Sequence, residues 1–478
     1  MNSRLGRSDL ILLTLLTGLA AVLRFYRLDA GLWFDEIATL VDSVRQPLSS
    51  IVTHFPGDNV HTLYSVLAHV SVAALGDTPT ALRLPAFLFG VASVPLLYVF
   101  ALRVTDRVEA GAAAAILTVS YHHIGFSQNA RAYTGLLFCV LVSTYALLRW
   151  CDDGRRLHLV TYAAATALGA YAHASIVLVC IGQALAVAVS MLGERQNSRV
   201  HAEWKILASA FVGAAALTVL LYAPMLADVS RSFAADPSSS TQAATPAGAI
   251  LAAVRGLQVG FGGLWAIALG GIIFSIGIVS YFRQRPVVAL LFVIPLALTL
   301  LSTIVLGRPI RPRFVFFAIG FGLLTAVRGG SRLGDLLGGH FLTRQRARHV
   351  MVALVLIAAI GLSIRSLPYG YRFPKQDYDA AVTFMERARG AGEEAVVIGE
   401  PGEVPVVRYL GRHWQRVNTA EELEALSGVS TVWVLYTFAS YIEEGEPALW
   451  AKLNNDCVLV AEFEGTVADG SILVRRCP

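Results

Sequence analysis

Charged residues are scarce in this sequence. Asp, Glu, Lys and Arg make up 15% of the 478 residues, whereas soluble globular domains carry about 25%. The scarcity excludes an ordinary soluble domain, and 55% hydrophobic residues with a mean hydropathy of +0.61 indicate an integral membrane protein. The net charge of +5 is spread over short Arg clusters. No long basic patch is present, so no nucleic-acid partner is expected.

Cysteine is also scarce, with five residues in the whole chain. None of them belongs to a CxxC pair, which argues against a zinc ribbon or a redox motif. The C-terminal part contains neither a GxGxxG pattern nor a P-loop, so no nucleotide-binding site is indicated there.

Long apolar runs fill most of the first 368 residues. Such runs need roughly 20 residues to cross about 30 Å of hydrocarbon. The sequence predicts an all-α polytopic membrane domain over 1–368 with about eleven spans. The predicted spans are 9–23, 84–102, 110–124, 132–148, 157–171, 175–192, 206–226, 262–282, 287–306, 314–327 and 350–367.

Arg and Lys residues predict the orientation of these spans. The basic clusters fall on the side of the N-terminus, at 103–107, 149–156, 195–205, 283–285 and 328–348. By the positive-inside rule that side is the cytoplasm. The first run is expected to be an uncleaved anchor rather than a signal peptide. We therefore expect a multi-pass protein of the inner (plasma) membrane, with its C-terminal domain extracytoplasmic and membrane lipids around it.

The first outer loop, 24–83, carries further apolar segments. Apolar residues at helical spacing in 37–55, divided by Pro47, predict two amphipathic helices on the membrane surface. The run 60–75 is short and would invert every later loop, so it is expected to be an interfacial or re-entrant helix. The Ser-, Ala-, Thr- and Pro-rich segment 227–248 is either a mobile loop that gates a site or a plain linker.

A soluble α/β domain is predicted over 369–478, where long apolar runs end. Strands are expected at 395–399, 431–436, 457–463 and 471–477, and helices at 375–389, 419–426 and 447–453. A terminal hairpin would place Cys457 opposite Cys477. In an oxidising compartment these residues could form a disulfide; the alternative is two unpaired thiols.

Two adjacent carboxylates, Asp35 and Glu36, lie just after the first span. Carboxylates at such a depth are costly and by default mark function. Asp35 has an alternative role as the N-cap of the following helix.

Other polar groups are expected on the same side of the membrane. The arginines in 308–313 oppose the positive-inside tendency, and guanidinium groups pair well with phosphate. The segment 127–133 contains Arg131, and its Tyr133 is either part of a site or an interfacial anchor. His173 ends a span on this face and could be purely structural.

Several of these segments resemble one known family. The run 24–36 resembles the start of polytopic GT-C glycosyltransferases that use lipid-linked sugars. The branch is the protein-mannosyltransferase and aminoarabinose-transferase-like one (RgtA/B/C/D-like domain). The segments 60–64, 76–85 and 127–133 also match, in the same order. The family often has His-Pro-Pro-Leu where this chain has His61–Thr62–Leu63, and Ala132 replaces a common Pro.

The resemblance implies a glycosyltransferase that moves a hexose or pentose from a polyprenyl-phosphate donor to a hydroxyl of a lipid, glycan or protein acceptor. It assigns Asp35 as the base. Glu36 would orient the acceptor, tune Asp35 or join it in holding a divalent cation; no other cofactor is required. A single base opposite the leaving phosphate predicts inversion. Further candidates are, for the donor phosphate, Arg131, Arg311, Arg313 and Tyr133, and for the acceptor or supporting positions, His61, Tyr64, His173 and Arg83.

Two other classes fit a polytopic chain. A transporter would use Asp35, Glu36 and Arg131 as a pathway, but transporters commonly show internal repeats with paired broken helices, and none is evident. A scaffold for cell-envelope assembly would use the C-terminal domain to bind partners.

Overall fold

The computed structural model describes residues 5–55, 57, 61–192, 198–234, 263–305, 312–339, 342–428 and 430–478. Helices contain most of the described residues up to 372, and a five-stranded sheet with short helices follows. The predicted fold class, a helical polytopic domain followed by a small α/β domain, is confirmed.

Among the described residues, seven helices are long and apolar enough to cross a membrane. They are Arg7–Phe25, Pro79–Val104, Tyr133–Asp153, Trp204–Arg231, Leu264–Gln284, Arg313–Leu337 and Arg344–Arg372. The predicted spans at 110–124, 157–171, 175–192 and 287–306 fall on other helices, with residue 306 outside the described residues. These helices are Arg107–Val119, Tyr121–Ser127, Arg156–Ala172, Ile176–Leu192 and Pro286–Val305, with Ser198–Ala202 between two of the spans.

Glycines allow two of the long helices to touch along their backbones. A Cβ atom on Gly277 would lie 2.0 Å from the Thr325 carbonyl oxygen, and one on Gly329 would lie 1.8 Å from that of Ile273. Membrane helices often associate through small residues that allow close packing, because in lipid no hydrophobic driving force brings helices together. The spacing of Leu264–Gln284 and Arg313–Leu337 therefore depends on these two glycines.

The outer loop folds into a compact platform. It contains the helix Phe34–Thr39, a π-helical turn Leu40–Val44, the helix Leu48–Thr53 and the helix Thr62–Leu75. Pro47 is the N-cap of its helix, as the predicted division requires. Thr62–Leu75 has 14 residues, about 21 Å of helix, and is therefore too short to span the bilayer core.

The apolar face of this platform is covered by protein. Ile37, Leu40 and Val44 are each 1% exposed and belong to one core with residues of the C-terminal sheet region. The prediction that these helices rest on the membrane surface is therefore corrected. The sequence periodicity identified a buried face but could not identify what buries it.

The C-terminal region contains a mixed sheet with the strand order β2-β1-β3-β5-β4. β1 pairs in parallel with β2 and β3, and the terminal hairpin β4–β5 joins β3 in antiparallel fashion. The strands are β1 Glu394–Ile398, β2 Gln415–Val417, β3 Val432–Tyr436, β4 Val458–Phe463 and β5 Ile472–Cys477. Its helices are Tyr378–Ala388, Gly399–Glu403, Ala420–Ser427, Ala439–Gly445 and Pro447–Asn455, with a π-helical segment Val404–Tyr409.

The terminal hairpin has the predicted register at its open end, and a bulge between Leu459 and Ala461 shifts the pairing by one residue towards the turn. Val458 pairs with Arg476, which brings Cys457 beside Cys477, and a disulfide joins these two residues. Short β2 and the segment 399–409 were not anticipated, because neither shows a clear periodicity of its own.

The last long helix connects the two parts without a break at the predicted boundary. It continues past Pro368 to Arg372, since an interior proline removes one backbone donor without necessarily ending a helix in a membrane. The chain then enters the sheet region, which shares a core with the platform.

Candidate active site

Asp35 lies in the first turn of the helix Phe34–Thr39, where the positive end of the helix dipole favours a carboxylate. Its side chain is almost buried, with 7% of the residue exposed. Arg313 Nη1 lies 3.1 Å from Asp35 Oδ2, and Arg131 Nη2 lies 4.0 Å from the same oxygen. Trp33 is the N-cap residue of this helix. Asp35 therefore faces two cations from distant segments and does not serve as the N-cap.

Glu36 has a different environment from its neighbour. It is fully buried and receives two hydrogen bonds from Arg83, at 2.7 Å from Nε and 2.6 Å from Nη2. The backbone N–H of Ala130 donates a third, at 2.7 Å. Burial raises the pKa of Glu36, but the charges of Arg83 and Lys375 and these hydrogen bonds outweigh it and lower the pKa overall. Glu36 is thus a carboxylate committed to internal partners.

Arg83 completes this paired unit and shapes the loop before it. Its Nη1 donates to the carbonyls of Leu28 and Ala30, at 2.9 and 2.6 Å, and its Nη2 also donates to Gly31. The guanidinium is 3% exposed. With all these bonds made, Arg83 holds the loop that carries Asp35 and has little capacity left for a ligand.

The segment 127–133 packs directly against the acidic loop. Trp33 Nε1 donates to Asn129 Oδ1 at 3.1 Å, and Ala130 supports Glu36 as described. Arg131 is 2% exposed, and its Nη1 lies 3.4 Å from Thr39 Oγ1. The sequence motif therefore positions its arginine beside Asp35.

Arg313 reaches the site from the short helical segment Pro312–Ala318. Its side chain is 23% exposed, and its Nε is a buried donor with no hydrogen-bond partner among the described atoms. Arg313 thus keeps donor capacity for an anion while it neutralises Asp35. Arg311, also predicted to bind phosphate, lies outside the described residues.

Two histidines and a tyrosine form an aromatic cluster next to these arginines. The rings of His61 and His173 stack with centroids 5.1 Å apart, and Tyr133 lies 5.7 and 5.8 Å from them. Burial, with the nearby charges of Arg131 and Arg313, lowers the pKa of His173 to about 4 and lowers that of His61 well below its usual range. Both imidazoles are therefore neutral near pH 7.

His61 combines a fixed ring with an unused ring nitrogen. Its Nδ1 lies 3.1 Å from the Ala172 carbonyl, which as an acceptor requires the proton on Nδ1. Its Nε2 is then a buried acceptor without a partner among the described residues. A hydroxyl group of a bound ligand could donate a hydrogen bond to this nitrogen.

Tyr64 is not available in the same way. It is 2% exposed, and its hydroxyl donates to the Leu82 carbonyl at 2.6 Å. Burial raises its pKa well above the usual value, so it remains a neutral donor. Tyr64 ties the helix Thr62–Leu75 to the long helix that carries Arg83.

Two neighbouring residues of the site were missed by sequence reasoning. Lys375 Nζ donates to the Gln128 carbonyl at 3.0 Å and lies 3.9 Å from Glu36 Oε1, and burial lowers its pKa to about 8. Gln376 accepts a hydrogen bond from the Phe34 backbone N–H at 2.9 Å. Both follow the last span, and no motif or spacing connects them to partners that lie 247 to 342 positions earlier.

A divalent cation held by Asp35 and Glu36 does not fit this geometry. Both Glu36 oxygens point to Arg83 and Ala130, so the two carboxylates do not converge on one position. Within the described part of the chain, no group of three His, Cys, Asp or Glu residues could hold a metal ion, and no cofactor is indicated.

Comparisons with known proteins agree with this architecture. Residues 62–222 match the family model described as dolichyl-phosphate-mannose-protein mannosyltransferase. No curated protein sequence matches the chain. The solved structure of ArnT from Cupriavidus metallidurans bound to undecaprenyl phosphate is similar, with 14% identity, a TM-score of 0.58 and 98% of each chain covered.

An archaeal structure is similar as well. It is the oligosaccharyltransferase AglB from Archaeoglobus fulgidus in complex with an inhibitory peptide and a dolichol-phosphate. The identity is 11% and the TM-score 0.57, with 96% of this chain and 74% of that chain covered. Another structure of an oligosaccharyltransferase from this organism, in complex with Zn and sulfate, has 12% identity and a TM-score of 0.58, with 94% and 71% covered.

The family model covers about a third of the chain, and the shared fold covers nearly all of it. Together they confirm the predicted resemblance and show that this chain shares the fold of multi-pass GT-C glycosyltransferases.

Proposed function

We propose that this protein transfers a sugar from a polyprenyl-phosphate donor to an acceptor hydroxyl, with Asp35 as the general base. The observation that carries the proposal is the buried Asp35 carboxylate with Arg313 and Arg131 beside it, 3.1 and 4.0 Å away. Such a site supplies both a base and fixed positive charge. ArnT bound to undecaprenyl phosphate and AglB with a dolichol-phosphate support this donor class.

The leaving group explains the two arginines. When the bond between the sugar C1 and the phosphate oxygen breaks, the electron pair stays on the phosphate and its negative charge increases. Arg313 and Arg131, which already face one carboxylate oxygen, would stabilise that charge by charge-assisted hydrogen bonds. The departing phosphate needs no proton from a general acid, because it is already a weak base.

Asp35 would accept the proton from the acceptor hydroxyl as its oxygen forms the new bond to C1. A carboxylate in a water-poor site and next to the reacting hydroxyl is suited to this step. Because one displacement takes place with one base, the anomeric configuration is inverted. His61 Nε2 and Tyr133 lie close enough to the arginines to orient the sugar or the acceptor.

The remaining site residues hold this arrangement in place. Glu36 and Arg83 fix the loop before Asp35, and Tyr64 fixes the helix beneath it. In the proposed orientation the basic segments between spans are cytoplasmic, and the site and the C-terminal domain lie at the outer face of the inner membrane. The donor lipid can then remain in the bilayer while its phosphate reaches the arginines.

The test is sugar transfer by purified protein in lipid. A panel of labelled polyprenyl-phosphate hexoses and pentoses is supplied, with a total membrane extract as the source of acceptors. Asp35→Asn should reduce the turnover about a hundred- to ten-thousandfold, the usual contribution of a general base, without a loss of folded protein. Equal turnover in Asp35→Asn would show that another group is the base. Arg313→Ala should mainly weaken use of the donor.

A further inference from the structure

The segment that joins the last span to the C-terminal sheet contacts the acidic loop directly. Gln376, at its centre, is 1% exposed. Its Oε1 accepts the Phe34 backbone N–H at 2.9 Å, and its Nε2 donates to Thr437 Oγ1 at 2.8 Å. A single side chain thus connects the residue before Asp35 to the loop that follows strand β3.

Lys375, the residue before Gln376, makes a second connection to the acidic loop. Its Nζ donates to the Gln128 carbonyl and lies 5.9 Å from the centre of the Trp33 ring. Gln128 belongs to the segment that carries Arg131. The two residues of the linker therefore touch two of the segments that form the candidate site, the acidic loop and the segment 127–133.

Further contacts connect the sheet region to the helices after Asp35. Arg408 Nη2 lies 2.5 Å from Asp42 Oδ1, and the Arg45 guanidinium lies over the Tyr409 ring at 5.5 Å. Both partners in the sheet region come from the π-helical segment Val404–Tyr409. Exposed pairs of this kind contribute little energy individually. Here, however, they contact the end of the short stretch 34–45, and Gln376 bonds to the start of the same stretch.

We propose that the C-terminal domain is a positioning element for the catalytic base, and that Gln376 is the residue through which it acts. The Phe34 N–H is among the first donors of a helix, which have no partner within the helix itself. The only polar group that satisfies it in the described structure is Gln376 Oε1. Thr437 in turn holds the amide of Gln376 in the orientation that presents its oxygen.

This role has a specific kinetic consequence, and it rests on the proposed function. Displacement of a catalytic group by about 1 Å can lower a rate about a hundredfold. Since Arg313 and Arg131 are held by other elements, loss of the Gln376 bond should disturb the base and leave the donor phosphate contacts in place. We therefore expect a lower kcat with an almost unchanged KM for the donor.

The experiment compares Gln376→Leu, Thr437→Val and the double variant in the full-length protein. Thr437→Val replaces the hydroxyl with a methyl group and keeps the side-chain shape. It therefore tests the same connection even if Gln376→Leu does not fold. Each variant is assayed with the polyprenyl-phosphate sugar that the unmodified protein uses best. Amide hydrogen exchange of a peptide covering 33–39 is followed by mass spectrometry without any substrate.

The expected result has three parts. Exchange of the 33–39 peptide rises about tenfold in Gln376→Leu, as expected for the loss of one buried hydrogen bond. The value of kcat falls at least tenfold while the donor KM stays within about twofold. Finally, the double variant is no worse than Gln376→Leu alone, since both substitutions break one connection.

Gln415→Leu is the matched control, because Gln415 is an exposed glutamine of the same sheet. Unchanged exchange and kcat in a folded Gln376→Leu protein would overturn the proposal. So would an equal loss in Gln415→Leu, which would reveal general instability of the domain. If the unmodified protein uses no donor, the proposed function fails, but the exchange measurement still decides whether Gln376 holds this helix.

Discussion

At the scale of single residues, the two adjacent carboxylates have separate roles that their sequence does not distinguish. Asp35 faces Arg313 and Arg131 with part of its surface accessible, whereas Glu36 is enclosed with Arg83. Adjacent residues of a helical turn point about 100° apart, so a shift of one position moves a carboxylate from the site into the scaffold. The Asp-Glu pattern in the sequence located the site. Which arginine pairs with which carboxylate could be seen only in the folded structure.

The enclosed pair predicts a large stability effect. Glu36→Gln leaves Arg83 as a buried cation without a counter-charge, which typically costs about 3–5 kcal/mol. We expect a marked drop in the thermal unfolding temperature of the purified protein. The control is Asp77→Asn, which breaks an exposed ion pair with Arg45 and should cost about 1 kcal/mol or less. Similar small losses in both variants would contradict the structural role given to Glu36.

The neutral histidines predict a pH dependence of stability. Unfolded His173 takes up a proton near pH 6.5, but the folded protein resists protonation until about pH 4. The contribution of His173 to stability is therefore constant above pH 6.5 and decreases as the pH falls between these values. His173→Asn should remove up to about 3 kcal/mol of that decrease, measured by denaturant unfolding at several pH values. An unchanged slope would show that other groups dominate.

At the scale of elements, apolar runs predicted helix positions well and their surroundings poorly. The hairpin and the helix predicted over 419–426 were also found, because strand alternation and an N-cap residue, here Thr419, are local signals. The platform helices were predicted on the membrane surface, yet Ile37 and Leu40 are buried by the sheet region. A periodic apolar face does not reveal whether lipid or protein covers it. Gln376 was missed for the same reason, since its partner is distant in sequence.

Packing between two long helices provides a test at this scale. Gly277→Leu would force its side chain against the Thr325 carbonyl, which a Cβ would meet at 2.0 Å. We expect clear destabilisation of the folded protein, measured by thermal unfolding in detergent. Gly271 lies on the same helix, and no described atom outside that helix lies within 4 Å of its Cβ position. Gly271→Leu should therefore be tolerated, and equal effects of both substitutions would argue against the close helix contact.

At the scale of the whole molecule, the bundle and the sheet region act as one unit around the site. A shared core and the Gln376 connection join them, so the C-terminal domain cannot be treated as a separate module. The proposed topology requires that domain to lie in an oxidising compartment, where its terminal disulfide can form. The state of Cys457 and Cys477 therefore reports on the orientation of the entire chain.

We expect these two cysteines to be oxidised in protein taken directly from cells. After denaturation, a maleimide reagent should label three cysteines, Cys139, Cys151 and Cys180, which are free in the structure, and all five after reduction. The double variant Cys457→Ser/Cys477→Ser should label identically with and without reduction. It should also be less stable by about 3 kcal/mol, because the disulfide closes a loop of some 20 residues. Labelling of all five cysteines before reduction would place the domain in a reducing compartment and reverse the proposed orientation.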